Sequence, residues 1–336
     1  MKTSDFDFEL PEKLIASRPL ERRDASRMLV VPGNHDKCVR DFLDYMQPGD
    51  VVVFNDSKVI PARFDAAAAG GAKYEITLHT SKSEKIWFAL CKKFNKLNIG
   101  DILTLSDGTE VEILDKSDAS GLMVKFHCED VFAVLDKVGR MPLPPYMKRE
   151  EETRDRDRYQ TIYANIPGSM AAPTAGLHFT PELIAAIKAA GARVVNITLH
   201  VGAGTWMPVK SEDLSRHKMH EEWGCITAEQ ADVINSARRV IAVGTTSLRL
   251  LESAAQKSAG KIKPFCGTTD IFITPGHEFK AADILLTNFH LPKSTLFMLV
   301  SAFAGVDEMR AAYAHAMLDK YRFFSYGDCC LLFKKD

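Results

Sequence analysis

Asp283–Gly305 reads DILLTNFHLPKSTLFMLVSAFAG, and two unlike physical demands meet in it. Asp283 to Leu286 has the length and branching of a buried strand, and Leu296 to Ala304 is an apolar run of helical length. Between them Thr287 to Thr295 packs an amide, an imidazole, an ammonium and three hydroxyls into nine residues. Reactive groups held between two core elements are how a rigid scaffold presents a site. The same loop also reads as a polar turn that caps a helix through Ser294 or Thr295. The apolar run is interrupted by Ser301 and too short to span a membrane, so it reads as core helix.

Working outward, 336 residues with 46% hydrophobic and 26% charged side chains exceed one ordinary domain, and two are expected. A formal charge of −1 excludes a global field that draws nucleic acid, so such a partner must be met by a local patch. The start has no hydrophobic signal core and no segment reaches spanning length, which predicts a cytoplasmic protein without a membrane. Seven cysteines include no C-x-x-C pair, and Cys329-Cys330 lies in an apolar tail. They read as reduced, structural thiols.

Near the start, Arg18, Arg22, Arg23 and Arg27 surround Pro19, Ala25 and Ser26 before a strand at Met28–Val31. Guanidinium groups suit phosphate contact, and a solvated ion-pair cluster is the alternative. Gly49–Phe64 carries a strand, Val51–Phe54, into Asn55-Asp56-Ser57-Lys58, a ligand-bearing strand end or an Asx turn. Asp65–Lys73 reads as a linker. Five short alternating strands follow between Tyr74 and Phe126, the pattern of a small β-barrel. Residues 66–150 therefore read as a domain inserted into a mixed α/β domain formed by 1–65 and 151–336. Glu150–Arg158 reads as a mobile charged loop.

The second half alternates strands and helices. Thr180-Pro181 opens a helix to Ala190, and Val194–Leu199 is a strand. A helix at Ala228–Arg238 precedes the strand Val240–Val243, and Gly244-Thr245-Thr246-Ser247 turns that strand into a helix. Such a turn aims backbone amides at any anion or polar ligand. Further expectations are a strand at Asp270–Ile273, a helix at Glu308–Lys320 and a strand at Cys329–Phe333. Gly202-x-Gly204 fails the dinucleotide fingerprint, and no Walker loop or G-x-S-x-G elbow is present. His217 and His220, with His178 and His200, leave open a metal-dependent hydrolase or lyase, although no zinc signature is complete. A non-catalytic RNA-binding module would need a basic stripe that the balanced charge does not supply.

Taken together, FDFELPEKLIASRPLERRDASRMLV, MPLPPY, YQTIYA, AAPTAGLHFT, TLHVGAGTW, HKMHEEW, VGTTSLRLLES, TNFHLPKSTLFMLVSAFAG and YRFFSYGD resemble the S-adenosylmethionine:tRNA ribosyltransferase-isomerase family of queuosine biosynthesis. The match runs nearly end to end. It departs at His277, where the family usually has Tyr, and at Lys93 in place of a Pro. The resemblance implies an α/β domain carrying an inserted β-barrel. It also implies transfer and isomerisation of the ribosyl group of S-adenosylmethionine onto 7-aminomethyl-7-deazaguanine at the wobble position of a tRNA with a GUN anticodon. Epoxyqueuosine forms, adenine and methionine leave, and S-adenosylmethionine is a substrate with no cofactor or metal. Such chemistry calls for His or carboxylate groups in a dry pocket. The candidates are His178, His200, His290, Asp56 and Glu221. Substrate contacts are expected from Asn55, Lys58, Arg63, Thr174, Gly244, Thr245, Thr246, Ser247, Arg249, Asn288, Phe289, Lys293 and Ser294. Arg22, Arg23 and Arg27 are expected at tRNA phosphates, and Phe179, Trp206 and Phe289 as stacking surfaces.

Overall fold

The computed structural model describes residues 1–117, 121–202, 209, 211–256, 258 and 260–335. β1 (Arg27–Val31) and β2 (His35–Cys38) form a hairpin, and β3 (Val51–Asn55) runs directly into the short β4 (Ser57–Val59). Every residue of β3 is buried. Val51 and Val53 enter one apolar cluster and Val52 and Phe54 another. Side chains alternating across a pleat do this only when both faces of the sheet are covered.

The chain then leaves the sheet. β5 (Arg63–Ala68), β6 (Lys73–Ser81), β7 (Ile86–Cys91), β8 (Ile102–Leu105), β9 (Glu110–Ser117) and β10 (Gly121–His127) close a barrel in the order β10-β7-β6-β5-β8-β9. α1 (Val131–Val138), capped by Asp130, presses Val131, Val134 and Leu135 into the barrel core. The expectation of a linker at Asp65–Lys73 and of five strands is thus corrected to six, with β5 and its turn filling that stretch. An alanine run lacks the branched side chains that signal a strand, yet Phe64 and Ala66 belong to the barrel core. Arg63 and Arg140 exchange both backbone hydrogen bonds, at 3.1 and 2.6 Å, so the outgoing and returning chains run side by side. A Cβ on Gly139 would fall 2.0 Å from the Pro61 carbonyl oxygen, and this crossing therefore requires glycine.

The rest of the chain completes the main sheet. α2 (Asp155–Arg158) and β11 (Ile166–Ser169) precede α3 (Pro181–Ala189), β12 (Arg193–Leu199), β13 (Glu222–Ile226) and α4 (Ala228–Asn235). β14 (Val240–Val243), α5 (Thr245–Gln256), β15 (Phe265–Thr269), β16 (Ile284–Asn288), α6 (Thr295–Ala304), α7 (Val306–Leu318) and β17 (Cys329–Phe333) follow. Strand order is β15-β13-β12-β3-β14-β16-β17-β1-β2. β12, β3, β14 and β16 run parallel, so their C-terminal ends share one edge. β12 and β14 flank β3 on opposite sides, which makes that edge the switch point where open α/β sheets bind ligands.

Three local expectations change. The strand placed at Asp270–Ile273 lies instead at Phe265–Thr269. Glu150–Arg158 is not a solvated loop throughout: Asp155 is 1% exposed. It accepts from both terminal nitrogens of Arg149 (2.6 and 2.7 Å), from Glu152 N and from the Tyr326 hydroxyl. The cysteines are not all thiols either. Cys225 and Cys266 oppose each other on the antiparallel β13 and β15 and are joined as a disulfide, while Cys38, Cys91, Cys128, Cys329 and Cys330 are free.

Candidate active site

At the C-terminal ends of β14 and β16 a cavity is walled by Thr174, Gly244, Thr245, Thr246, Thr287, Asn288, His290 and Ser294. Tyr146, Tyr159, Phe324 and Ser325 close its other side. Local sequence explains each wall. β16 continues its buried run into Thr287 and Asn288, and α6 is started by Ser294, whose hydroxyl accepts from Phe297 N at 3.1 Å. Lys293 takes a left-handed turn (φ 56°), with its N–H on the Phe6 carbonyl. Its ammonium points away to Asp7, 2.6 Å off, and is half exposed. Lys293 thus fastens the loop outside the cavity, which corrects its assignment as a substrate contact.

Asn288 organises the floor. Its Oδ1 accepts from Thr174 Oγ1 at 2.8 Å, and its Nδ2 lies 3.1 Å from His178 Nε2. His178 is buried behind this amide rather than on the cavity wall. Burial, then the nearby Arg322 charge, pulls its pKa down to about 4. His290 faces the cavity, with Nε2 3.0 Å from Thr287 Oγ1 and its backbone N–H on the Tyr313 hydroxyl. Burial lowers its pKa to about 3, so the ring is neutral at ordinary pH. Tyr146 stacks on Phe324 with centroids 4.5 Å apart, and burial pushes its hydroxyl pKa up to about 12.

A second polar cluster sits at the ends of β3 and β12. Asn55 is an Asx turn: its Oδ1 accepts from Ser57 N (3.1 Å) and Leu199 N (3.0 Å), and its Nδ2 donates to the Leu199 carbonyl. Asp56 accepts from Thr198 Oγ1 at 2.7 Å, and burial raises its pKa. Ser57 Oγ lies 2.7 Å from His200 Nδ1, and the His200 ring stacks on Trp223 at 5.2 Å. Burial brings His200 down to about 4. None of Asn55, Asp56 or His200 lines the cavity, and their contacts brace strand ends. Lys58 is exposed beside Arg23 and Arg156 in a separate groove. Arg63 is at the neck of the barrel.

Further assignments are corrected by burial and partners. Glu221 is exposed, whereas its neighbour Glu222 is buried and ion-paired with buried Arg249. Glu222 Oε1 also accepts from Gly202 N at 3.0 Å. Arg249 is thereby a partner of Glu222 and not a residue of the cavity wall. Ser247 donates back to the Val243 carbonyl, as helix hydroxyls do. Phe179 packs with Phe42 and Phe54 as a buried core ring, whereas Phe289, packed with Tyr313, Tyr321 and Phe323, also lines the cavity. Trp206, Gly204, Ala203 and Thr205 lie outside the described residues. The aromatic wall that sequence reasoning missed is Tyr146 and Phe324, and its signal was the repeated Tyr and Phe of PPYM and RFFSY.

The arginine knot is largely spent within the protein. Arg23 donates to the carbonyls of Gln160, Leu177 and Asp157. Arg27 donates to the Asp319 carbonyl and to Asp36, and its guanidinium lies 3.6 Å from the Tyr321 ring centre. Arg22 alone of the three keeps an open side chain, 69% exposed, with one contact to Asp24. His178, His200, His217 and His220 do not converge. Among the described residues the one group with metal-ligand spacing is Asp36, His315 and Asp319, which contains none of them.

The profile of the family described as "Queuosine biosynthesis protein" matches residues 3–332. A protein of Parvibaculum lavamentivorans named S-adenosylmethionine:tRNA ribosyltransferase-isomerase is 50% identical over 99% of both chains. A protein of the same name from Caulobacter vibrioides is 49% identical over the whole of both. The crystal structure of S-adenosylmethionine tRNA ribosyltransferase from Thermotoga maritima is 36% identical, with a TM-score of 0.56, over 98% of this chain and 99% of that one. The cavity, the sheet edge that carries it and these full-length matches lead to one conclusion: the chain belongs to the queuosine biosynthesis protein family.

Proposed function

We propose that the protein is an S-adenosylmethionine:tRNA ribosyltransferase-isomerase. It transfers and isomerises the ribosyl group of S-adenosylmethionine onto 7-aminomethyl-7-deazaguanine at the wobble position of a tRNA with a GUN anticodon. Adenine and methionine leave and epoxyqueuosine forms. S-adenosylmethionine is a substrate, no cofactor or metal takes part, and a cytoplasmic location goes with the tRNA partner. The observation that supports this best is the cavity itself: it is lined by hydroxyls, an amide and a neutral imidazole, and among the described residues no Lys, Arg, Asp or Glu lines it. The match to named relatives over full length supports the reaction class.

The sulfonium acidifies the hydrogens of the adjacent 5′ carbon, so a proton acceptor is needed beside it. Among the described residues His290 is the histidine on the cavity wall, and in this reading it accepts that proton. Tyr146, kept protonated by burial, donates towards departing adenine, and the Tyr146–Phe324 stack supplies the aromatic surface. Asn288 and Thr174 orient the substrate, with His178 acting through Asn288 as a positioning residue. The target base leaves the anticodon stack to reach this depth.

The test is adenine release from S-adenosylmethionine by purified protein. Release should require tRNA carrying the aminomethyl-deazaguanine, be absent with tRNA carrying guanine, and be indifferent to chelator. No release with the correct substrates would overturn the reading.

A further inference from the structure

We propose that the N-terminus of α5 is a carboxylate subsite that holds the amino-acid end of S-adenosylmethionine; this deepens the reading above and rests on it. The first turn of a helix presents N–H groups without intrahelical partners, together with the positive end of the helix dipole. In α1, α3, α4 and α6 a side chain meets them: Asp130, Thr180, Thr227 and Ser294. α5 follows Gly244, which has no side chain to offer. Among the described residues no acceptor meets the N–H of Thr245, Thr246 or Ser247.

A second observation points to a ligand. Thr246 is 8% exposed, forms part of the cavity wall, and its Oγ1 has no hydrogen-bond partner. A buried hydroxyl without a partner is costly unless something fills the place. Gly244 takes φ 90°, with its N–H on the Leu286 carbonyl, and so turns β14 sharply into α5 at the edge of the cavity. A Cβ at Gly244 would meet Thr246 Oγ1 at 3.5 Å and Ala175 Cβ at 3.7 Å, ordinary contacts. The glycine is demanded by its backbone angle rather than by lack of space.

The electrostatics narrow the ligand to an anion. Among the described residues no cationic side chain lines the cavity and His290 is neutral, so α5 supplies its positive pole. S-adenosylmethionine carries one anionic group, its carboxylate. Seating it on α5 directs the adenosyl end towards Asn288, His290 and the Tyr146–Phe324 stack. A tRNA phosphate shares this chemistry, and the arms below separate the two sources.

Affinities of S-adenosylmethionine and decarboxylated S-adenosylmethionine are measured by calorimetry on the wild type, Thr246→Val, Thr246→Ala and Thr246→Ser, with melting curves to confirm folding and tRNA affinity measured in parallel. Wild type should bind the carboxylated ligand about tenfold or more tightly than its decarboxylated form, the scale of a hydrogen bond to a charged group. The Val and Ala variants should lose most of that preference with tRNA affinity unchanged, and Ser should restore it. Equal weakening of both ligands, or an undiminished preference in folded variants, would overturn the subsite. A loss confined to tRNA would assign the helix end to phosphate instead. No S-adenosylmethionine binding by wild type would overturn the broader reading as well.

Discussion

Asn288 Nδ2 stands 3.1 Å from His178 Nε2 while Asn288 Oδ1 accepts from Thr174 Oγ1 at 2.8 Å. An amide nitrogen only donates, so Nε2 of His178 accepts and its ring is neutral. The orientation of the amide in the cavity floor is therefore set by a histidine that does not touch the cavity. His178→Gln keeps an acceptor for Asn288, and His178→Leu removes it. Leu should cost about 1–3 kcal/mol for the unmet buried donor and lower kcat, with Gln recovering part of both. Urea unfolding and single-turnover rates check this, and indistinguishable Gln and Leu variants would dismiss the positioning role.

Histidine burial fixes the direction of the pH dependence of stability. His79, His178 and His200 are lowered to about 4 and His290 to about 3, chiefly by burial, from an ordinary value near 6.5. Between about 4 and 6.5 the unfolded chain binds more protons than the folded one, so stability rises with pH and is lost as pH falls. Asp56 and Asp328, raised by burial, act oppositely near and above their ordinary 3.8. The histidine effect is therefore cleanest at pH 5 to 6.5. Each buried neutral histidine contributes a slope of up to about 1.4 kcal/mol per pH unit, halved by about pH 6.5, and His178→Gln should remove one such increment. Flat stability across that window would refute the buried-neutral assignment.

Adjacent glutamates should behave in opposite ways. Glu222→Ala leaves the Arg249 guanidinium buried without its carboxylate and should destabilise by about 3–5 kcal/mol. Glu221→Ala, at an exposed position, should stay within about 0.5 kcal/mol. Denaturant midpoints at constant slope decide the comparison.

The arginines divide in the same manner. Arg22, open to solvent, should weaken tRNA binding when changed to Ala and reduce the salt slope by about one phosphate equivalent. Arg23→Ala should instead lower the melting temperature, because three carbonyls lose their donor. A salt slope unchanged by Arg22→Ala removes tRNA phosphate from this surface.

The mixed α/β class, the barrel and the strand–loop–helix at Asp283–Gly305 were legible because buried strands leave continuous or alternating apolar runs. β5 was hidden by its alanines, β13 by the glycine Gly224 packed under Leu250 and Leu199, and the edge strand β15 by Gly267 and its threonines. The residues Asn288, His290 and the Gly244 turn, read in the sequence as polar strand ends, do lie along the cavity, and Thr174, expected only from the resemblance, joins them there. Which of two neighbouring glutamates is buried depends on partners 20 and 27 residues away, and which arginine is spent on carbonyls depends on segments more than a hundred residues apart. Tyr146 and Phe324 come from segments 178 residues apart, and the aromatic repeats of PPYM and RFFSY that carry them do not show that the two rings meet.

The account turns on His290 as the proton acceptor within the cavity. The most direct measurement is adenine release in a single turnover by His290→Gln, with saturating S-adenosylmethionine and tRNA bearing the aminomethyl-deazaguanine. The account predicts a folded variant that binds both substrates and is slower by about 10²-fold or more. A folded variant releasing adenine at nearly the wild-type rate would contradict it.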